Sequence, residues 1–231
     1  MNKILIDNKV SSNEFIIKED TFITCFDVSS NLLLNIERTS KVFIYIKNSN
    51  LNIDIKLYSN LDIDLFVVNS SISISTYLEE ENIKMNYNYR NINKNNNSYL
   101  LNIYHNKKNT SSDVTNNGIN LYNNRLDYAI NGIIKKDSIN THCSQDSKII
   151  IMEDNNSSIK PNLIVDNSEI DASHSSYIGR FSLEKIFYLK SRGLEEKDCL
   201  KLLVSSFLLE KLNIVDDEKE LILGEINTVW R

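Results

Sequence analysis

The chain has little glycine and little proline, and these shortages exclude several kinds of catalytic site. Only five glycines and one proline occur among its 231 residues. A phosphate-binding loop needs closely spaced glycines, and no such run is present; the GxSxG, HExxH and EF-hand patterns are missing as well. We therefore expect that the chain does not hydrolyse ATP by itself, and we predict that it is not an enzyme.

Cysteine and long apolar runs are also scarce. Cys25, Cys143 and Cys199 are widely separated, odd in number and free of any CxxC spacing. This pattern argues against a disulfide framework or a zinc knuckle, so we expect reduced thiols. No apolar run approaches the roughly 20 residues that span a bilayer, and the N-terminus does not read as a cleavable leader. We predict a cytoplasmic protein that does not insert into a membrane.

Positive charge is not in excess either. The formal net charge is −5 at pH 7, whereas a nucleic-acid surface needs clustered lysine and arginine, so we predict no nucleic-acid binding. Asparagine, isoleucine, lysine and serine are abundant, and alanine occurs only at positions 129 and 172. We interpret this bias as the codon usage of an A/T-rich genome, not as a sign of function.

Most of the chain alternates between apolar and polar residues, which is typical of half-buried strands. Such segments recur about every ten residues, an interval that holds one strand and a polar turn. The segments begin near Leu32, Val42, Leu51, Leu61 and Ile72. This spacing fits either an antiparallel sandwich or the successive rungs of a β-solenoid, and spacing alone does not decide between them.

The polar segments 91–97 and 106–117 are predicted to be loops. His105 is predicted to lie in the polar loop YHNKKN at 104–109, with no partner that the sequence identifies. His142 is expected to point to the opposite strand face from Cys143 and to be solvated, because neighbouring strand residues face opposite ways. Gln145 lies two residues beyond Cys143 and is predicted to share its face.

The period changes from strand to helix within residues 170–194. Leu183, Ile186, Phe187 and Lys190 follow helical spacing, Ser182 can cap the helix, and Gly193 can end it in a left-handed conformation. Two further helices are predicted within 194–212 and 216–230. The first of these carries a predicted apolar stripe of Cys199, Leu202, Leu203, Ser206 and Phe207.

The same region resembles the C-terminal signature of the SufB/SufD family. That signature reads approximately P-x-L-x-I, then S-H-G-A-T-x-G, then a helix ending L-F-Y-L-x-S-R-G. Gln145 and Lys148 also fall on a family strand motif, in a form closer to SufD than to SufB. The matching residues of the signature are Pro161, Ser173, His174, Gly179, Phe187, Tyr188, Leu189, Ser191, Arg192 and Gly193.

The resemblance implies a mainly β fold, a right-handed parallel β-helix with a small C-terminal α-helical subdomain. We assign residues 1–180 to the β-helix core and 181–231 to the helical subdomain. The implied function is that of a non-ATPase scaffold subunit in SUF-type iron–sulfur cluster assembly. Implied partners are a SufC-like ABC ATPase and either a SufB-like subunit or a second copy in a homodimer. The residues implied to contact the ATPase are Ile186, Phe187, Tyr188, Arg192 and Gly193.

Two residues are candidate ligands of iron or of a cluster. His174 falls on the family motif, and an imidazole can bind iron. Cys143 can supply a thiolate, although a buried or idle thiol is the favoured interpretation of this residue. Because a cluster normally needs about four ligands, this chain alone is not expected to hold one tightly. The cluster is therefore expected to be transient and to lie at a subunit interface.

Two other hypotheses remain open on the sequence. A β-solenoid that binds or cleaves carbohydrate would share the strand pattern, but such enzymes usually line a groove with paired carboxylates, which the sequence does not indicate. A purely structural partner would assemble its complex without any ligand role for His174. Removal of the chain from Ser182 onward would then abolish assembly, whereas His174→Ala would leave cluster formation intact.

Overall fold

The computed structural model of the protein describes residues 2–7, 13–212 and 214–229, which form fifteen strands and three helices. The first eight strands are β1 (Asn2–Ile6), β2 (Glu14–Ile17), β3 (Thr21–Phe26), β4 (Ser29–Ile36), β5 (Ser40–Lys47), β6 (Asn50–Leu57), β7 (Leu61–Val68) and β8 (Ser71–Leu78). The remaining strands are β9 (Lys84–Asn93), β10 (Asn97–His105), β11 (Ser111–Asn120), β12 (Leu126–Ile134), β13 (Thr141–Ile151), β14 (Ser158–Val165) and β15 (Ile170–Gly179). The helices are α1 (Leu183–Ser191), α2 (Glu196–Leu209) and α3 (Asp216–Val229).

The strands form two parallel sheets, and the chain changes sheet at every strand. Odd-numbered strands build the eight-stranded sheet in the order β1 to β15, and even-numbered strands build the seven-stranded sheet from β2 to β14. One coil therefore consists of two strands, one in each sheet. This is a parallel β-helix followed by helices, which confirms the predicted fold and excludes the antiparallel sandwich. The predicted right-handed coil is the hand expected for parallel crossovers.

Side chains that point into the β-helix form stacked rows along its axis. One row runs through successive register partners in the eight-stranded sheet: Val42, Ile63, Tyr87, Val114, Gln145 and His174. Most of the interior is a cluster of buried isoleucine, leucine and valine, which provides the main burial of apolar surface. Towards β15 this row becomes polar, so the composition of the interior changes along the axis.

Asparagine replaces glycine at the corners of the coils. Asn48 and Asn69 at one corner, and Asn82, Asn109 and Asn140 at another, have φ values between 51° and 61°. Asparagine tolerates this left-handed region better than most residues. At each corner the side-chain amides stack and donate to one another, at 3.1 to 3.2 Å. These asparagines therefore have a structural role that the codon-usage interpretation did not predict.

The two predicted loops are largely strand. Asn91 and Asn93 lie in β9 and are fully buried, and β11 begins at Ser111, inside the second predicted loop. The prediction failed because buried amides can satisfy each other across coils. Asn93 donates to the Asn120 side chain at 2.9 Å, and Asn116 donates to Ser147 Oγ at 2.9 Å. Polarity in a β-helix therefore does not require exposure.

The helices α2 and α3 pack on the outer face of the eight-stranded sheet. Val204 and Leu208 of α2 and Ile222 and Ile226 of α3 share a buried apolar cluster with outward side chains of the sheet. The predicted stripe of α2 was partly wrong. Cys199 is fully buried as expected, but the other buried positions are Val204 and Leu208, and Leu202 is 50% exposed.

Two polar contacts fasten these helices to the sheet. The fully buried Arg90 of β9 donates to the backbone oxygens of Leu208 and Glu210 at the end of α2, at 3.0 and 2.6 Å. Glu225 of α3 accepts hydrogen bonds from Tyr45 Oη at 2.6 Å and Lys47 Nζ at 2.7 Å.

Among the described helices, none combines the length and apolar character needed to cross a membrane.

Candidate functional site

The β14–β15 end of the β-helix is open. Within residues 2–7, 13–212 and 214–229, no further strand pairs with the outer edge of β14 or β15. The side chains that would fill the interior of this last coil are therefore uncovered. Pro161 and Leu163 of β14 are half-buried, and His174 and Ser176 of β15 are exposed. Proline suits an edge strand, because it cannot donate a ladder hydrogen bond.

His174 lies in the middle of this open end. It is the register partner of Gln145 in β13, so its side chain belongs to the interior row described above. It forms no hydrogen bond or ion pair with any residue that the structure describes. An exposed imidazole without a partner is free to bind a metal ion or a group of a second protein.

Cys143 lies one coil deeper, on the same face. It is fully buried in β13, and its register partner in the last coil is Ala172. Adjacent strands and a two-residue offset separate Cys143 and His174 by roughly 8 Å between Cα atoms. Burial raises the pKa of the Cys143 thiol, and hydrogen bonds from Ser112 and Gln145 offset part of that rise. The thiol is therefore protonated at neutral pH and shielded by the last coil.

Gln145 and Gly132 complete the surroundings of Cys143. The Gln145 amide nitrogen lies 4.0 Å from Cys143 Sγ and 3.5 Å from the Asn162 backbone oxygen. A Cβ atom on Gly132 would lie 2.8 Å from Cys143 Sγ and 2.9 Å from the Gln145 amide nitrogen. Gly132 therefore leaves the space that both side chains occupy. Sequence reasoning missed this role, although a glycine inside a strand is a signal of close approach.

These residues do not form a complete metal site by themselves. Across the described parts of the chain, no group of three or more histidine, cysteine, aspartate or glutamate side chains could hold a metal ion. All three cysteines are free and buried. The arrangement offers one accessible imidazole and one shielded thiol, which is an incomplete ligand set.

His142 points to the opposite face from Cys143, as predicted, but it is not simply solvated. Its Nδ1 lies 2.9 Å from Asp171 of β15, and its Nε2 lies 3.1 Å from Asp113 of β11. Desolvation lowers the pKa of His142, but the hydrogen bonds to the two carboxylates raise it more, so the pKa is above its ordinary value. The two carboxylates lie on opposite sides of the ring and do not converge with it on one metal position.

His105 is the clearest error among the histidine predictions. It is the last residue of β10, not a loop residue, and it is fully buried. Its Nδ1 lies 2.8 Å from Thr110 Oγ1, and its Nε2 lies 2.9 Å from Ser112 Oγ. Burial lowers the pKa of His105 to about 4. The ring is therefore neutral at physiological pH and serves the interior packing.

We expect His105 to make the protein less stable in acid. Its pKa is about 4 when folded and about 6.5 when unfolded, so only the unfolded state takes up a proton between these values. Its contribution is fully present above about pH 6.5 and is lost as the pH falls towards 4, a change of about 3 kcal/mol. Urea unfolding at about pH 7 and about pH 4 measures this loss. His105→Gln should lose correspondingly less; equal losses in both proteins would contradict the assignment.

The helix α1 presents the second candidate surface. Leu183, Phe187 and Tyr188 are 69%, 68% and 60% exposed, and the helix has no fully buried residue. The exposed aromatic side chains of α1 are therefore not part of the chain's own core. Ile186 is half-buried, and Arg192 and Gly193 are exposed. Gly193 has a φ of 90°, which confirms the predicted left-handed helix end.

A groove of about 510 Å³ runs between α1 and α2. Tyr188 and Leu189 of α1 and Leu202 and Leu203 of α2 supply its apolar lining. The Arg192 guanidinium lies 5.3 Å from the centre of the Tyr188 ring, a cation–π distance. An exposed apolar groove next to exposed aromatic side chains is typical of a surface that binds another protein.

Comparison with known proteins shows the family to which this chain belongs. Residues 34–207 match the family described as SUF system FeS cluster assembly, SufBD core domain. The chain is similar to the Escherichia coli iron–sulfur cluster assembly protein SufD, 33% identical over 69 residues, which are 29% of this chain and 16% of that protein. It is also similar to an iron–sulfur cluster assembly SufBD family protein of Mycobacterium leprae, 47% identical over 51 residues, 22% of this chain and 13% of that protein. A SufBD family protein of Mycobacterium tuberculosis is 45% identical over 51 residues, with the same coverage of 22% and 13%.

Proposed function

The chain belongs to the SufB/SufD family, and from this premise we propose that it is a non-ATPase scaffold subunit of a SUF-type iron–sulfur cluster assembly complex. The family match over residues 34–207 is the observation that carries the proposal. The aligned segments cover only 13% to 16% of the curated relatives' own length, so the residue roles below are proposals supported by the geometry of this chain. The carbohydrate alternative has no comparable support.

We propose that the open end of the β-helix pairs with a SufB-like subunit or with a second copy of this chain. Cluster assembly needs about four ligands, and this chain offers at most His174 and Cys143. A second subunit placed against β14 and β15 would supply the missing ligands. It would also cover the half-buried Pro161 and Leu163 and the unpaired edges of both strands, which otherwise invite non-specific pairing.

In this proposal the helical part, residues 181–231, docks a SufC-like ABC ATPase through α1. Support comes from the exposed Phe187 and Tyr188, the adjacent groove and the exposed Arg192. Aromatic and arginine side chains are the residue types most enriched at the energetic centres of protein interfaces. Ile186 and Gly193 would set the position and the end of the docking helix.

The connection between α1 and β15 suggests how ATP binding could act on the cluster site. β15 ends at Gly179 and α1 begins at Leu183, so movement of α1 would be transmitted directly to the strand that carries His174. Cys143 lies in the neighbouring strand β13, where β15 covers it, and its side chain is fully buried. A shape change driven by the ATPase would expose the thiol and allow iron and sulfide to reach it.

Replacing Phe187 and Tyr188 together with serine should weaken binding of the SufC-like ATPase at least tenfold. A hot-spot side chain contributes about 2 kcal/mol or more, and 1.4 kcal/mol is a factor of ten. Binding is measured by calorimetry with the purified ATPase. Tyr122→Ser removes another exposed aromatic, 46% exposed outside α1, and should leave the affinity unchanged. Unchanged affinity in the double variant would contradict docking through α1.

The proposal as a whole is tested by co-purification and reconstitution. The chain, produced together with a SufC-like ATPase and a SufB-like subunit, should be recovered in one complex that assembles iron and acid-labile sulfide. If the chain forms no such complex, alone or with the second subunit, the scaffold function is wrong. If it forms the complex and His174→Ala assembles normal amounts of cluster, the purely structural role is favoured instead.

A further inference from the structure

The Gln145 side chain contains a buried acceptor with no partner. The residue is 1% exposed, and its Oε1 has no hydrogen-bond partner among the described residues. Buried amide oxygens are normally paired, since an unpaired one is unfavourable. An orphan acceptor next to a candidate ligand therefore needs an explanation.

The position of this acceptor is set by its neighbours. Gln145 is the register partner of His174, and both side chains belong to the interior row, one strand apart. The other end of the amide is engaged: its nitrogen faces Cys143 Sγ at 4.0 Å and the Asn162 backbone oxygen at 3.5 Å. Because Gly132 carries no side chain, the amide keeps this place; a Cβ there would come within 2.9 Å of its nitrogen.

We propose that Gln145 is a positioning residue that acts on both candidate ligands: the exposed His174 ring, which makes no hydrogen bond to the described residues in the structure, turns so that one ring N–H donates to the unpaired Gln145 amide oxygen, while the amide nitrogen faces the Cys143 sulfur. This assignment rests on the proposed function, because it concerns the residues given ligand roles there. The pairing gives the orphan oxygen a partner across one strand spacing of about 4.8 Å.

The chemical consequence is a fixed tautomer of His174. A neutral imidazole carries one N–H and one lone pair, and the nitrogen that donates decides which nitrogen can bind metal. When one ring N–H is held by Gln145 Oε1, the other nitrogen turns its lone pair towards the open end. Metal-binding histidines usually have such an acceptor on the second nitrogen, and its loss typically weakens metal binding 10- to 100-fold.

The proposal is tested first on the purified full-length chain, without any cluster. Two-bond ¹⁵N–¹H NMR spectra of histidine-labelled protein report the tautomer, and His174→Ala identifies the His174 signals. Wild type should show a single tautomer for neutral His174, and Gln145→Met should show a mixture, since methionine has a similar length but no acceptor. Gln145→Glu keeps an oxygen at this place and should restore the single tautomer.

Each outcome separates this inference from the proposed function. A tautomer mixture at His174 in the wild type would overturn the positioning role and leave the scaffold function standing. A single tautomer that persists in Gln145→Met would overturn it as well. If Gln145→Met does not fold, the wild-type spectrum still decides. In the assembled complex, Gln145→Met should weaken the binding of ferrous iron, added without sulfide, by 10- to 100-fold. If the wild-type complex binds no iron either, the proposed scaffold function is contradicted, but the hydrogen bond between Gln145 and His174 is not.

Discussion

His174→Ala is expected to reduce cluster assembly by the complex at least tenfold while leaving the chain folded. The side chain is exposed on β15 and the structure shows no hydrogen bond from it to the described residues, so its removal should cost no more than the hydrogen bond proposed with Gln145, about 1 kcal/mol of the free energy of unfolding. Loss of an outer-shell partner already costs 10- to 100-fold in metal binding, and loss of a ligand should cost at least as much. Iron and sulfide per complex after reconstitution are the quantities to measure.

Ser176→Ala is the matched control for this experiment. Ser176 lies two residues further along β15, on the same face and also exposed, and it has no ligand role in the proposal. We expect normal cluster assembly in this variant. If both variants lost activity, the open end would act only as a contact surface, and the ligand role of His174 would be wrong.

Arg90→Met is expected to cause the largest loss of stability, about 3 to 4 kcal/mol. The Arg90 side chain is fully buried and donates to four backbone oxygens, those of Tyr89, Thr115, Leu208 and Glu210. Hydrogen bonds that involve a charged group contribute roughly 1.5 to 3 kcal/mol each, and acceptors left buried and unpaired are costly. Burial lowers the Arg90 pKa to about 10, so the guanidinium remains charged at neutral pH.

The effect should be concentrated in α2. Arg90 holds the carbonyl end of that helix on the sheet, so hydrogen exchange of the amides in 196–209 should accelerate more than exchange in the β-helix. Arg125→Met provides the control, because Arg125 forms an exposed ion pair with Asp127 that should contribute no more than about 1 kcal/mol. Equal losses in the two variants, measured by urea unfolding, would show that Arg90 does not fasten the helix.

The β-helix itself was predictable where its interior is aliphatic. The alternation of Leu51, Ile53, Ile55 and Leu57 follows directly from a strand with one buried face, and each of these residues is buried. Spacing could not distinguish a solenoid from a sandwich, because both bury every second residue. The choice depended on the resemblance in residues 161–193, which the parallel register then confirmed.

The polar interior was not predictable from residue types. Asn91, Asn93 and Asn116 were assigned to loops because isolated amides are rarely buried. In a β-helix, however, the same position recurs one coil later, so an amide finds a partner through stacking. His105 was misplaced for the same reason: its partners are Thr110, which lies just before β11, and Ser112 within β11, and nothing in the local sequence announces them.

The candidate sites were predicted unevenly. The signature placed His174 and the α1 residues correctly in sequence, and the structure places His174 on the exposed open end. Burial could not be read from spacing: the Cys143 side chain is fully buried, whereas Leu183, Phe187 and Tyr188 of α1 are exposed on this chain. Gln145 was noticed as a motif match on the same strand face as Cys143, but its positioning role was not predicted, since its unpaired oxygen and the space beside Gly132 exist only once the coils are stacked.

Histidine ligation to the assembled cluster tests the central claim most directly. The chain is labelled with ¹⁵N-histidine, reconstituted with its unlabelled partners, and the reduced, paramagnetic cluster is examined by electron–nuclear double resonance. We predict a ¹⁵N coupling that is present in the wild-type complex and in Ser176→Ala and is absent in His174→Ala. A cluster that forms in full amount without any ¹⁵N coupling from this chain would contradict the claim that the open end of its β-helix is the assembly site.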